Sequence, residues 1–161
     1  PTATLCAFYR RACAAIRAHL PPERASVVFH DGFRPHGEFA ALVAEPALAG
    51  AVLDVHRYQC FDRADLALDA AGHVHKAAVD WSVEAQRIQQ DLAIRAIAGE
   101  WSLGLDLAAV SLWAEGPFDH ALTPLDAFQT DVALRAYGAA QLLAFERYAG
   151  WFFWSYRTET T

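Results

Sequence analysis

Four short apolar runs, each closing in polar or aromatic side chains, constrain this chain more than any other feature. They are Val27-Val28-Phe29-His30-Asp31, the stretch 52–59, the stretch 94–101 and Trp151-Phe152-Phe153-Trp154 with the residues that follow. Helical stretches separate them. Near-continuous Val, Ile and Leu runs suit strands buried on both faces, and strands that alternate with helices join in parallel through right-handed crossovers. Parallel sheets of this kind carry their chemistry at the C-terminal ends of their strands. The pattern predicts an α/β fold in the order helix, strand–helix three times, strand. Four such strands describe one half of a parallel barrel.

The spacing places a first helix over residues 4–19, with Leu5, Phe8, Ala12, Ile16 and Leu20 on one face, ended by Pro21-Pro22. Strands follow over 26–30, 51–58 and 94–100, and the last begins after Gly150. Short helices are expected over 38–44 and, after a polar loop, over 73–90. Residues 103–122 read as an irregular insertion with a helical piece at 107–113 and a break at Gly116-Pro117. Thr123-Pro124-Leu125-Asp126 reads as a helix start, with Thr123 as cap, for a helix running to Arg147. Residues 1–161 make one partial (β/α) barrel domain with no linker or repeat. It would lack the other four strands and the last helix of a barrel, and its sheet would have two unpaired edges.

Bulk numbers agree with a partial barrel. A complete one needs roughly 250 residues, against 161 here. Hydrophobic residues make up 55%. That surplus reads either as surface meant for a missing half or as the alanine content of the chain. A net charge of −6, with Lys76 the single lysine, argues against nucleic acid. No run of about 18 apolar residues is present, so no membrane span is expected. Cys6 and Cys13 stand two helical turns apart, too far for an easy disulfide, and with Cys60 they read as buried thiols. The absence of methionine and of a charged-then-apolar leader reads as a piece of a longer polypeptide.

Glu100 is the leading candidate for chemistry. It ends an apolar run beside Trp101, at the mouth of a strand, where a sugar would stack on an aromatic ring. Read from the residues alone, it is more readily a rim glutamate satisfied by an arginine. His56 and Tyr58, two apart on a strand, point to one side; they line a site or form a core pair. Trp154 is a stacking platform or core. A metal held by His56 with His73 or His75 lacks a matching acid, so neither metal nor cofactor is expected.

His56-x-Tyr58-Gln59-x-Phe61, Gly99-Glu100-Trp101-Ser102 and Gly150-Trp151-Phe152-Phe153-Trp154-Ser155-Tyr156-Arg157-Thr158-Glu159 occur in the order and at the spacing of one family. Together they closely resemble the exo-β-1,3-glucanases of glycoside hydrolase family 5, from about Val27 to Glu159. The resemblance implies the C-terminal half (strands five to eight) of a TIM (β/α)8 barrel and a retaining β-glycoside hydrolase without cofactor. Glu100 would be the nucleophile, Tyr58 would donate a hydrogen bond to it, and His56 would hold the sugar or the groups behind it. Trp154 would floor the cleaved subsite, and Trp101, Phe61 and Phe33 would wall the outer ones. Asp31, with His30, would contact hydroxyls or cap its loop.

The acid/base of that family follows an asparagine and precedes a proline on strand four. Glu45-Pro46 carries Ala44 in place of the asparagine and lies in a helix-like stretch, so it is a decoy. The true acid would come from an N-terminal half-barrel, in the same polypeptide or another chain. Arg57 and Tyr156-Arg157 depart from the usual residues, which bears on linkage more than on reaction type. Alternatives are a non-catalytic carbohydrate-binding or scaffold fragment, and a glucosidase acting on a rutinoside or sterol glucoside. The family implies a secreted or periplasmic protein.

Overall fold

The computed structural model describes residues 2–105 and 124–155. Four parallel strands form one sheet in sequential order: β1 (Val28–His30), β2 (Val52–Arg57), β3 (Arg95–Trp101) and β4 (Trp151–Phe153). Helix α1 (Thr2–Arg17) precedes β1. A 3-10 turn (His36–Phe39), α2 (Ala40–Val43) and a second 3-10 turn (Pro46–Leu48) join β1 to β2. Between β2 and β3 lie α3 (Arg63–Leu66) and α4 (Ala70–His75). A π turn (Lys76–Asp80) then leads into α5 (Trp81–Leu92). Helix α6 (Ala127–Phe145) leads to β4. The α/β class and the parallel strand order are those expected, and the sheet is compatible with part of a barrel.

Local chemistry sets the helix ends. Asp69 caps α4 through Gly72 N–H at 2.7 Å, so the helix starts earlier than hydrophobic spacing suggests. Helix α6 starts at Asp126, not at Thr123. The Asp126 carboxylate takes Gln129 N–H at 2.8 Å while the Gln129 amide oxygen takes Asp126 N–H at 3.0 Å, a reciprocal capping box. Thr123 and the expected helical piece at 107–113 lie outside the described residues. The stripe expected on α1 is also rotated. Cys6, Tyr9 and Cys13 pack inward, whereas Phe8, Ile16 and Leu20 stay exposed. Cys6 and Cys13 are buried and unbridged, and Cys60 is buried as well.

The core lies on one face of the sheet. Leu53 and Val55 of β2, with Ala96 and Ala98 of β3, join Ala85 and Ile88 of α5 and Ala144 and Phe145 of α6. Trp81 stacks on Phe145 at 5.6 Å, and Trp101 meets Phe145 from the sheet side at 5.5 Å. Burying a Leu- or Phe-sized side chain stabilises by about 1.5–3 kcal/mol, so this layer fixes the sheet against its helices. The opposite face carries Asp54, His56, Gly99 and Glu100, all only partly buried.

The expectation that all four strands are buried fails at the edges. Val28 of β1 is half exposed, and all three residues of β4 are exposed, because each edge strand has a neighbour on one side only among the described residues. None of the helices described is long and apolar enough to cross a membrane.

Two outcomes follow from this architecture. Asp126→Ala should lower stability by about 1 kcal/mol, seen as a lower urea midpoint with an unchanged slope. Expressed as this 161-residue segment, the chain should dimerise or aggregate through its open strand edges. A monomer in sedimentation that melts cooperatively would contradict that.

Candidate active site

One extra residue in β3 builds the site. Pairing runs from Val52 opposite Arg95 to Val55 opposite Ala98, and then jumps to His56 opposite Glu100, so Gly99 is left as a bulge. The jump matters because strand side chains alternate faces. With Ala98 in the core, an unbulged strand would return Glu100 to the core as well. The bulge aims it at the open face instead.

There the Tyr58 hydroxyl donates to Glu100 Oε2 at 2.9 Å, and His56 Nδ1 lies 3.4 Å from the same oxygen. The other ring nitrogen, His56 Nε2, is 3.1 Å from Asp54 Oδ2. Burial first, and then the hydrogen bond to Glu100, push the pKa of Tyr58 far above its ordinary value. Tyr58 therefore stays a donor at any working pH. The structure thus brings Glu100, His56 and Tyr58 together and adds Asp54, which the sequence reading passed over. Its signal was present: Asp54, His56 and Tyr58 fall at every second position, on one face of β2.

Beside this group opens a cavity of about 530 Å³ lined by Phe33, His56, Arg57, Tyr58, Phe61 and Trp81, among others. Phe33 and Phe61 are well exposed on its rim. Phe61 stands edge-on to Tyr58 at 5.4 Å, and Phe33 stands edge-on to His30 at 5.0 Å. Gly32 and Phe33 both take left-handed backbone conformations, with φ of 60° and 56°. That turn is held by Asp31, whose Oδ1 accepts from Phe33 N–H at 2.8 Å. His30 Nδ1 accepts from Gly32 N–H at 3.0 Å.

Asp31 itself is only 4% exposed. Its second oxygen faces Arg57 at 3.7 Å, and Arg57 also pairs with Glu84 at 3.0 Å. The structure thus places Asp31 as a loop cap that mounts Phe33, the second of the two roles open to it from sequence.

Trp101 departs from its expected place. It is 4% exposed and packed among Phe145, Trp151 and Phe153, in the core and away from the cavity. The alternation that aims Glu100 at the open face turns its neighbour inward. Trp154 stands exposed just past β4, with its backbone N–H on the Trp101 carbonyl at 2.8 Å. His73 does not approach His56. It is buried, with Nδ1 on Gln59 Oε1 at 2.7 Å. Among the described residues no group of His, Cys, Asp and Glu is arranged to hold a metal. Glu45 pairs with Arg10 of α1 at 2.6 Å, ahead of the start of β2. Tyr156-Arg157 lies outside the described residues.

A carboxylate with a tyrosine donor thus stands at the C-terminal end of a parallel strand and beside an aromatic cleft, the end at which parallel α/β sheets carry their chemistry. No family model matches the chain. It is similar to proteins named glucan 1,3-β-glucosidase. It shares 32% identity with the one from Lachancea kluyveri and 31% with the one from Candida oleophila. Each of these alignments covers 84% of this chain and 35% of the relative. A probable glucan 1,3-β-glucosidase D of Aspergillus clavatus is 26% identical over 84% of this chain and 20% of its own length. The chain therefore spans about a third of the first two relatives, and the similarity supports a relationship to exo-glucanase glycoside hydrolases.

Burial lowers the pKa of His73, so the unfolded chain takes up a proton before the folded one does. This contribution to stability is complete above the unfolded value of about 6.5 and is lost as pH falls from there through the folded value. Urea midpoints measured from pH 7.5 down to pH 5 should fall more steeply for the wild type than for His73→Gln. Equal slopes would contradict that.

Proposed function

We propose that this chain is the C-terminal half, strands five to eight, of a (β/α)8 barrel in a retaining β-glycoside hydrolase of exo-β-1,3-glucanase type. The observation that carries the reading is the Glu100 carboxylate, turned to the open face by the Gly99 bulge and held at Oε2 by the Tyr58 hydroxyl at 2.9 Å. That hydrogen bond fixes the carboxylate against rotation. It also occupies one oxygen and leaves Oε1 for attack.

In the reaction, Oε1 forms a bond to the anomeric carbon as the glycosidic C–O bond breaks. A second carboxyl gives its proton to the leaving oxygen. In the return step water attacks the anomeric carbon, that same carboxylate takes the water's proton, and Glu100 leaves. The second carboxyl must sit about 5–5.5 Å from the first. It comes from the complementing half-barrel, the partner this reading requires, which also covers the open face and the strand edges.

Phe33 and Phe61 supply apolar faces on which sugar C–H groups stack while hydroxyls stay wet. Trp154, exposed past β4, supplies the floor of the cleaved subsite. His56 holds a sugar hydroxyl or orients Glu100. The substrate is a β-glucan end or another β-glucoside; the names of the relatives support β-1,3-glucan.

The test is hydrolysis of an activated aryl β-glucoside, and glucose release from a β-1,3-glucan, by the native polypeptide. Glu100→Gln should lower turnover by about 10⁴-fold or more, as loss of a covalent nucleophile does. Removing the complementing acid should cost glucan hydrolysis about 10²–10⁴-fold, because proton donation to a poor leaving group is worth that much. The activated glucoside should suffer less. A loss below about tenfold in Glu100→Gln would remove the nucleophile assignment. Sugar binding without turnover in the wild type would replace hydrolysis with a carbohydrate-binding role.

A further inference from the structure

We infer that Asp54 is a positioning residue for Glu100, acting through His56, and that Gly99 is the residue that admits it. The inference rests on the hydrolase reading for its catalytic consequence, but its geometry stands without it. Asp54 Oδ2 lies 3.1 Å from His56 Nε2, and His56 Nδ1 lies 3.4 Å from Glu100 Oε2. A carboxylate can only accept, so the first contact keeps a proton on Nε2 and fixes the plane of the ring. With that plane fixed, Nδ1 faces the oxygen that Tyr58 already holds and, because that oxygen too can only accept, contacts it as a donor in the doubly protonated ring. Both contacts converge on Oε2, and Oε1 is left for the sugar. The ring of His30, 4.2 Å from that of His56, limits its tilt from a second side.

Two observations mark Asp54 as more than a polar residue on a strand. Its Oδ1 is buried and has no hydrogen-bond partner among the described residues, so the imidazole is its main compensation. Its position also depends on Gly99. A β-carbon on Gly99 would run into the Asp54 carboxylate, 2.6 Å from Cγ, so any L side chain there displaces it. Gly99 serves the site twice, as the bulge residue that turns Glu100 outward and as the space that Asp54 fills. A residue that holds a histidine in one tautomer while staying off the substrate is a familiar device in hydrolases.

The experiment uses the native polypeptide with ¹⁵N-labelled histidine and the variants Asp54→Ala, Asp54→Asn, Gly99→Ala and the double variant Asp54→Ala/Gly99→Ala. In the wild type His56 should show a protonated Nε2, as it should in Asp54→Asn, whose amide oxygen still accepts, while Asp54→Ala, Gly99→Ala and the double variant should lose that fixed tautomer. Turnover of the activated aryl glucoside should fall in kcat by about 10–100-fold, as loss of a histidine's outer partner does at metal sites, with KM nearly constant. Gly99→Ala should cost about as much as Asp54→Ala, and the double variant no more than either, because both remove the same contact.

An unchanged His56 spectrum in Asp54→Ala overturns the inference whatever the protein hydrolyses. A changed spectrum with full kcat also overturns it and leaves the hydrolase reading intact. A wild type without turnover sinks the hydrolase reading and the catalytic consequence together, and the spectrum then still decides whether Asp54 sets the tautomer of His56.

Discussion

The site depends on a register fault. Strands β2 and β3 pair one for one until Val55 and Ala98, and one unpaired glycine then shifts every later residue of β3 by a position. Without it, strict alternation would bury Glu100 beside Ala98 and expose Trp101. With it, the carboxylate meets Tyr58 and His56 while the indole drops into the core. The bulge falls at the strand end, where pairing is about to stop and little ladder is lost.

The core answers the same demand from the other side. Small residues, Ala96, Ala98, Ala85 and Ala144, bring the α5 and α6 helices close to β3, and Trp101, Phe145 and Trp81 fill the wider space near the strand ends. Bulk is therefore concentrated directly behind Glu100. A carboxylate backed by stacked aromatic rings cannot retreat into the protein, so its position is set by packing as much as by its hydrogen bonds.

Much of this was legible in the residues. The apolar runs gave the strand order, and the polar groups at their ends gave Glu100, His56 and Tyr58. What escaped was whatever depends on a neighbour far away in sequence. Asp54 was not singled out, because its role comes from His56 and from the space over Gly99. Trp101 looked like part of the site because it adjoins Glu100, but adjacency on a strand means opposite faces. Asp31 showed two roles with equal force until the Gly32-Phe33 turn decided between them. The start of α6 went to Thr123 because a hydroxyl before proline is a good cap, whereas Asp126 has the reciprocal partner Gln129. Helix caps are won by the residue that can be paid back in kind.

The rim of the cleft has a different character from its floor. Phe33 is carried by a turn in which the Gly32 and Phe33 amides donate to the His30 ring and the Asp31 carboxylate, and Asp31 N–H on the Asp54 carbonyl ties that turn to β2. The same turn reaches the carboxylate's own neighbour, since the rings of His30 and Phe33 stand 4.2 Å and 6.2 Å from that of His56. A change in this small loop that alters the width of the opening therefore also presses on the ring beside Glu100, so the entrance and the strand end are adjusted together.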